Sequence, residues 1–184
     1  MMTHLNGQLL VASPYLEDQN FARSVILLLQ HMEEGAVGVV LNRPVNVTVR
    51  SLWDELWAGD CDNDARLNFG GPVSGPLMAL HTDKTLGELS LPQGIYVAAH
   101  KDNLEALVHQ TDHPFRMYLG HAGWTGGQLE DELNEGTWLT LPAQAQHVFA
   151  PHDDLWEDSV KKVGRSVIHS ALRIKHVPFC PSLN

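Results

Sequence analysis

Apolar positions along the chain fall in short runs separated by glycine, proline and acidic turns. Leu9–Ala12 is one such run, closed by Ser13-Pro14. Ser24–Gln30 is apolar almost throughout, β-branched at its start and too short for a secure helix, which predicts a buried strand. Glu33-Glu34-Gly35 supplies a turn, Val37–Leu41 follows as a second strand, and the two predict a hairpin. Thr48–Leu56 changes period: Val49, Leu52, Trp53 and Leu56 recur at helical spacing, and Gly59 marks the end. Leu67–Phe69, Leu77–His81, Ile95–Ala99, Phe115–Leu119 and Trp138–Leu141 predict further strands.

Helices are expected from a cap at Asp102, with Leu104, Leu107 and Val108 inward and a stop at His113-Pro114. A short acidic helix is expected over Gln128–Asn134, closed by Gly136, and Pro142 stands where a helix can begin. A last helix, Asp154–Val163, carries Leu155, Trp156, Val160 and Val163 and is expected to end at Gly164. Ser166–Ile174 then predicts a strand, and His176–Asn184 a loose tail. Hairpins mixed with single helices predict the α+β class with a mixed sheet.

The length of 184 residues fits one domain, and 43% hydrophobic residues support a real core. The longest apolar run, Val25–Leu29, is far shorter than the roughly 20 residues a bilayer requires. Met1–Gln8 lacks a basic segment followed by an apolar one, so no secretory signal and a cytoplasmic location are expected. The formal net charge of −10, with scattered Lys and Arg, argues against direct nucleic-acid binding. Cys61 and Cys180 are far apart and lack a CxxC partner set, which favours free thiols.

The densest chemical segment is Gly120–Glu132. Gly126-Gly127 would let a ligand approach the backbone, and the following helix start favours an anion. Glu130, Asp131 and Glu132 already complement that helix end and would repel a phosphate. A tight strand-to-helix turn with Trp124 packed beneath it is the simpler account. Glu130 and Glu132, two apart on a helix, point to different faces. Asn42-Arg43-Pro44 and Gly70-Gly71-Pro72 each offer an anion contact or an ordinary turn. His109 and His113 are four apart, but Pro114 takes His113 off the helix, and no HExxH or GxSxG occurs. No cofactor and no metal are expected.

Taken together, these segments resemble the YqgE/AlgH family of bacterial proteins. The resemblance rests on Gly7–Pro14 with Phe21–Val25, on Gly35–Pro44, on Gly70–Val73 with Leu80-His81, and on Gly120–Leu133 with Gly136-Thr137-Trp138. Phe149 and Trp156 also fit, so the ordered set covers about residues 5–165. The resemblance implies a cytosolic, single-domain α+β protein with a mixed, partly barrel-like sheet flanked by helices. A domain over 1–165 and a divergent tail over 166–184 follow. It implies no established biochemical activity, though the AlgH name, tied to alginate regulation, implies a transcriptional role. His121 stands where the family often has tyrosine, and Ala171–Asn184 departs from its usual ending.

The expectation is a cytosolic regulatory module that binds a small ligand or a protein partner, not a membrane. Its site would be a surface groove where the loops at Asn42, Gly70 and Gly120–Gln128 converge. Arg23, Asn42, Arg43, Gly70, Gly71, Gly120, Trp124, Gln128 and Glu130 would line it. Arg23, Arg43, Trp124 and Gln128 would supply anion, stacking and amide contacts. No residue is assigned a catalytic role. The rival expectation is an enzyme acting on a small molecule or thiol with His81 or His121 as base.

Overall fold

A computed structural model describes residues 5–57, 61–149, 151 and 153–172. The apolar runs become strands β1 (Gln8–Ala12), β2 (Val25–Met32) and β3 (Gly35–Val40). Strands β4 (Pro44–Thr48), β5 (Arg66–Phe69), β6 (Met78–His81), β7 (Leu89–Leu91) and β8 (Ile95–Ala98) follow. The last three are β9 (Phe115–Leu119), β10 (Ala122–Thr125) and β11 (Trp138–Pro142). Helices are α1 (Val49–Trp57), α2 (Lys101–His109), α3 (Gln128–Asn134), α4 (Ala145–Phe149) and α5 (Leu155–Leu172).

The fold is α+β, as expected, and its strands divide between two open sheets. One is antiparallel, in the order β10-β3-β2-β1-β11. The other, β4-β5-β9-β6-β8-β7, is mixed, because β5 and β9 run parallel. The β2–β3 hairpin forms around Glu33-Glu34, pairing Met32 with Gly35.

Both faces of the first sheet are covered, which explains why β1 and β2 are apolar at successive positions. Leu9, Val11, Leu27 and Val39 pack against Leu80, Ile95, Val97 and Tyr118 of the second sheet. Leu10, Ile26, Leu28 and Val40 face the opposite way, against Trp124, Leu129 and Trp138. Each fully buried Leu or Ile stabilises the fold by ~1.5–3 kcal/mol. The outer face of the second sheet is covered by α1 and α2 through Val49, Trp53, Leu104 and Leu107, with Cys61 buried beside them. Leu56, expected on the buried stripe of α1, is half exposed.

Four local expectations are corrected. Helix α5 does not stop at Gly164 but continues to Leu172, through the described part of the segment expected as a strand. One glycine costs a helix only about 1 kcal/mol, and Lys161, Lys162, Val163 and Arg165 around it are all compatible with helix. Pro142 ends β11, and α4 starts later, at Ala145. Helix α2 is capped at His100 without a side-chain bond, and Asp102 lies in its first turn. Glu88 does the capping from a distance, accepting from the Ala99 and His100 amides and from Asn103 Nδ2. The segment read as a glycine loop contains β10, paired with β3. Gly59, Cys180 and the expected tail His176–Asn184 lie outside the described residues.

Candidate functional site

Asn42 follows β3 and acts on backbone. Its Oδ1 accepts from the Val25 amide at 2.9 Å, and its Nδ2 donates to the Arg23 carbonyl at 2.9 Å. Arg43 donates to the Ala22 carbonyl and, at 3.4 Å, to that of Asn42. Burial pushes the Arg43 guanidinium below its ordinary pKa. Arg23 is held at φ 56°, with its guanidinium 5.5 Å from the centre of a Trp156 ring. Arg23, Asn42, Arg43 and Trp156 line a depression of about 260 Å³.

Gly70, Gly71 and Gly120 do converge, as backbone pressed on backbone. A Cβ on Gly70 would stand 2.2 Å from the Gly120 carbonyl oxygen, and one on Gly71 2.2 Å from the His121 carbonyl carbon. Val73 and His121 exchange amide hydrogen bonds beside this seam. The Gly70 carbonyl accepts from the Val40 amide at 2.8 Å, tying the seam to the first sheet. These glycines allow close approach between chain segments.

Trp124, Gln128 and Glu130 belong to β10 and α3. Glu130 reaches 2.8 Å to the Nε2 of buried His31. Gln128 accepts from the Thr125 amide at 3.0 Å and donates to Glu132 Oε1 at 2.9 Å. Glu132 Oε2 accepts from the Trp124 indole at 2.9 Å and from the Trp138 indole at 2.7 Å. Four inter-strand steps of ~4.8 Å would hold the edge strands ~19 Å apart in a flat sheet. The Trp124 and Trp138 rings nevertheless lie 6.1 Å apart at an interplanar angle of 80°. The sheet therefore curls around α3, and Glu132 bridges its two edges without closing a barrel.

Beside this bridge opens a cleft of about 350 Å³, lined by Asp18, Phe21, Trp124, Gln128, Glu132 and Trp138 among others. Phe21 meets Trp138 nearly edge-on, with ring centres 5.8 Å apart. The structure thus brings Trp124 and Gln128 together in this cleft, and Arg23, Asn42 and Arg43 in the other depression. Asp18, Phe21, Glu132 and Trp138 were not among the expected lining residues. The signal available for Glu132 was the i,i+4 spacing Gln128–Glu132 on one helix face.

His81 is fully buried, with no hydrogen bond of standard geometry to either ring nitrogen among the described residues, though the Asp83 backbone lies near its ring. Its nearest ring neighbour is Tyr96 at 6.0 Å. His121 takes part in the glycine seam through its backbone.

A family model described as AlgH-like, DUF179, matches residues 9–168. The chain belongs to the AlgH-like family. A UPF0301 protein of Stenotrophomonas maltophilia R551-3 is 40% identical over 171 residues, covering 88% of this chain and 90% of that protein. A UPF0301 protein of Idiomarina loihiensis is 36% identical over 175 residues, covering 90% and 95%. The solution structure of the AlgH protein from Pseudomonas aeruginosa superposes with a TM-score of 0.71 at 27% identity over 98% of both chains. A crystal structure of a Corynebacterium diphtheriae protein gives 0.70 at 28% identity over 88% of both. Among the described residues, no helix of this AlgH-like chain is long and apolar enough to cross a membrane.

Proposed function

We propose that this protein is a cytosolic regulatory binding module whose ligand site is the cleft under α3, between Trp124 and Trp138. The observation that carries the reading is the Glu132 bridge. It fixes two largely buried indoles in the lining of an open cleft, the rigid apolar frame with a few placed polar groups that ligand sites use. Of the titratable residues in the lining, Asp18 and Glu132, the second is already engaged by two indoles and an amide, an arrangement suited to holding a ligand. The regulatory role rests only on what the resemblance to the AlgH-like family implies, and the net charge of −10 favours a small ligand or a protein partner over nucleic acid.

The test replaces Phe21 and Gln128 together by alanine, which strips one wall and one amide from the cleft. The host carrying this variant should show the transcript profile of a host lacking the gene, with protein level and fold unchanged. A wild-type profile with normal protein level would sink the reading.

A further inference from the structure

The cleft's chemistry narrows the ligand, on the reading that this cleft is the binding site. A carboxylate offers about four lone-pair positions. Glu132 has filled three of them, all from neutral donors: two indoles and the Gln128 amide. Asp18 has one oxygen committed, its Oδ1 accepting from the Asn20 and Phe21 amides at 2.9 and 3.0 Å. Its Oδ2 has no hydrogen bond among the described residues. Neither carboxylate forms an ion pair with a described Lys, Arg or His. Two carboxylates with no cationic partner among the described residues therefore line one cleft, Asp18 exposed and Glu132 partly exposed.

The walls fit the same ligand. Phe21 meets Trp138 at 76° and Trp138 meets Trp124 at 80°, and although Trp124 and Trp138 are only 7% and 4% exposed, all three contribute to the cleft lining. Ring faces attract cations, indole most strongly. Each indole also donates its N–H to Glu132, which shifts electron density into the ring and strengthens that attraction. An anion would meet two carboxylates here, and a neutral apolar ligand would displace their water without replacing it. We infer that the cleft binds an organic ammonium cation, with the charged group against the Trp124, Trp138 and Phe21 rings and facing Glu132 and Asp18.

The probe is choline, compared with 3,3-dimethyl-1-butanol, its uncharged carbon isostere. The readout is the indole N–H resonances in a ¹⁵N-labelled sample, with Trp53, Trp57 and Trp156 as internal controls. Choline should shift Trp124 and Trp138 saturably, while the alcohol leaves them in place. Glu132→Gln should abolish the effect but risks loosening the bridge. Asp18→Asn keeps the oxygen that accepts from Asn20 and Phe21, so the turn persists and choline affinity should fall about tenfold. No saturable shift with choline up to about 10 mM overturns the inference. So does equal binding of the alcohol, and so does unchanged affinity in Asp18→Asn. Equal alcohol binding, or silence with choline while the Phe21/Gln128 variant still reproduces the gene-loss profile, leaves the binding-module reading standing. A wild-type profile in that host removes the module reading itself.

Discussion

Asn42 spends both of its amide atoms on backbone. One end accepts from the strand that opens β2, and the other donates to the carbonyl of Arg23, two residues upstream. Arg23 is a non-glycine residue at positive φ, a conformation that costs about 1 kcal/mol or more unless its surroundings enforce it. Asn42 supplies that enforcement. Asn42→Asp keeps the acceptor for Val25 but sets a second oxygen against the Arg23 carbonyl. It should destabilise the fold by about 1–3 kcal/mol in urea denaturation, while unchanged stability would show the clamp to be dispensable. The same residues show what was legible at this scale. Asn42, Arg43, Gly70 and Gly120 stood out because loops that must cross closely need these residue types. Sequence alone could not say whether glycines make room for a ligand or for another stretch of chain. The partner that decides it, Gly120 for Gly70, lies fifty positions away. Glu132 was hidden for the opposite reason, since an acidic residue on a short helix looks like a solvated face until two distant indoles are found on it.

Elements were legible wherever periodicity and burial agree. β2 and β3 follow from their runs because they bury most of the positions the runs mark, and α1 follows from its stripe although only Val49 and Trp53 of it are buried. β4 and β7 escaped because they are short, partly exposed edge strands whose pairing rests on a neighbour and not on their own composition. Gly164 resembles a helix stop in the sequence, yet the surrounding residues favour helix and α5 runs through it. The continuous helix makes a prediction. Nothing lies within 4 Å of a Cβ placed on Gly164, and its backbone is helical. Gly164→Ala should therefore raise stability by up to about 1 kcal/mol. Gly70→Ala, with its Cβ driven into the Gly120 carbonyl, should lower it by about 3 kcal/mol or more, or prevent folding. The two midpoints in urea should move in opposite directions, and a loss of stability in Gly164→Ala would contradict a continuous α5.

The whole molecule is joined by a core shared between the two sheets, so protonation of an enclosed group is felt as global unfolding. His81 is fully enclosed, and burial pushes its pKa below the ordinary 6.5. His113 lowers it further, whereas Asp83 and Glu88 pull the other way without overcoming burial. His147, also enclosed, is pushed down by burial and then by Lys162. Both histidines stay neutral in the fold below the pH at which the unfolded chain protonates them. The unfolded state then binds more protons, so stability is full above about 6.5 and falls as pH drops through that value. Each histidine contributes up to about 1.4 kcal/mol per pH unit until its own folded pKa is reached. Two carboxylates act in the same sense but lower down. Asp83 is lowered by its hydrogen bonds from Thr85. Glu88 is raised by burial but lowered more by Asn103 and the His100 and Ala99 amides. Their losses begin near 3.8 and 4.5, so the range from about 6.5 to 5 belongs to the histidines. His81→Phe keeps an aromatic ring in an apolar setting and removes one of the two titrations. Urea denaturation between about pH 7.5 and 5 should show a shallower fall in stability for this variant than for the wild type. Parallel slopes would mean that His81 is not held neutral by the core.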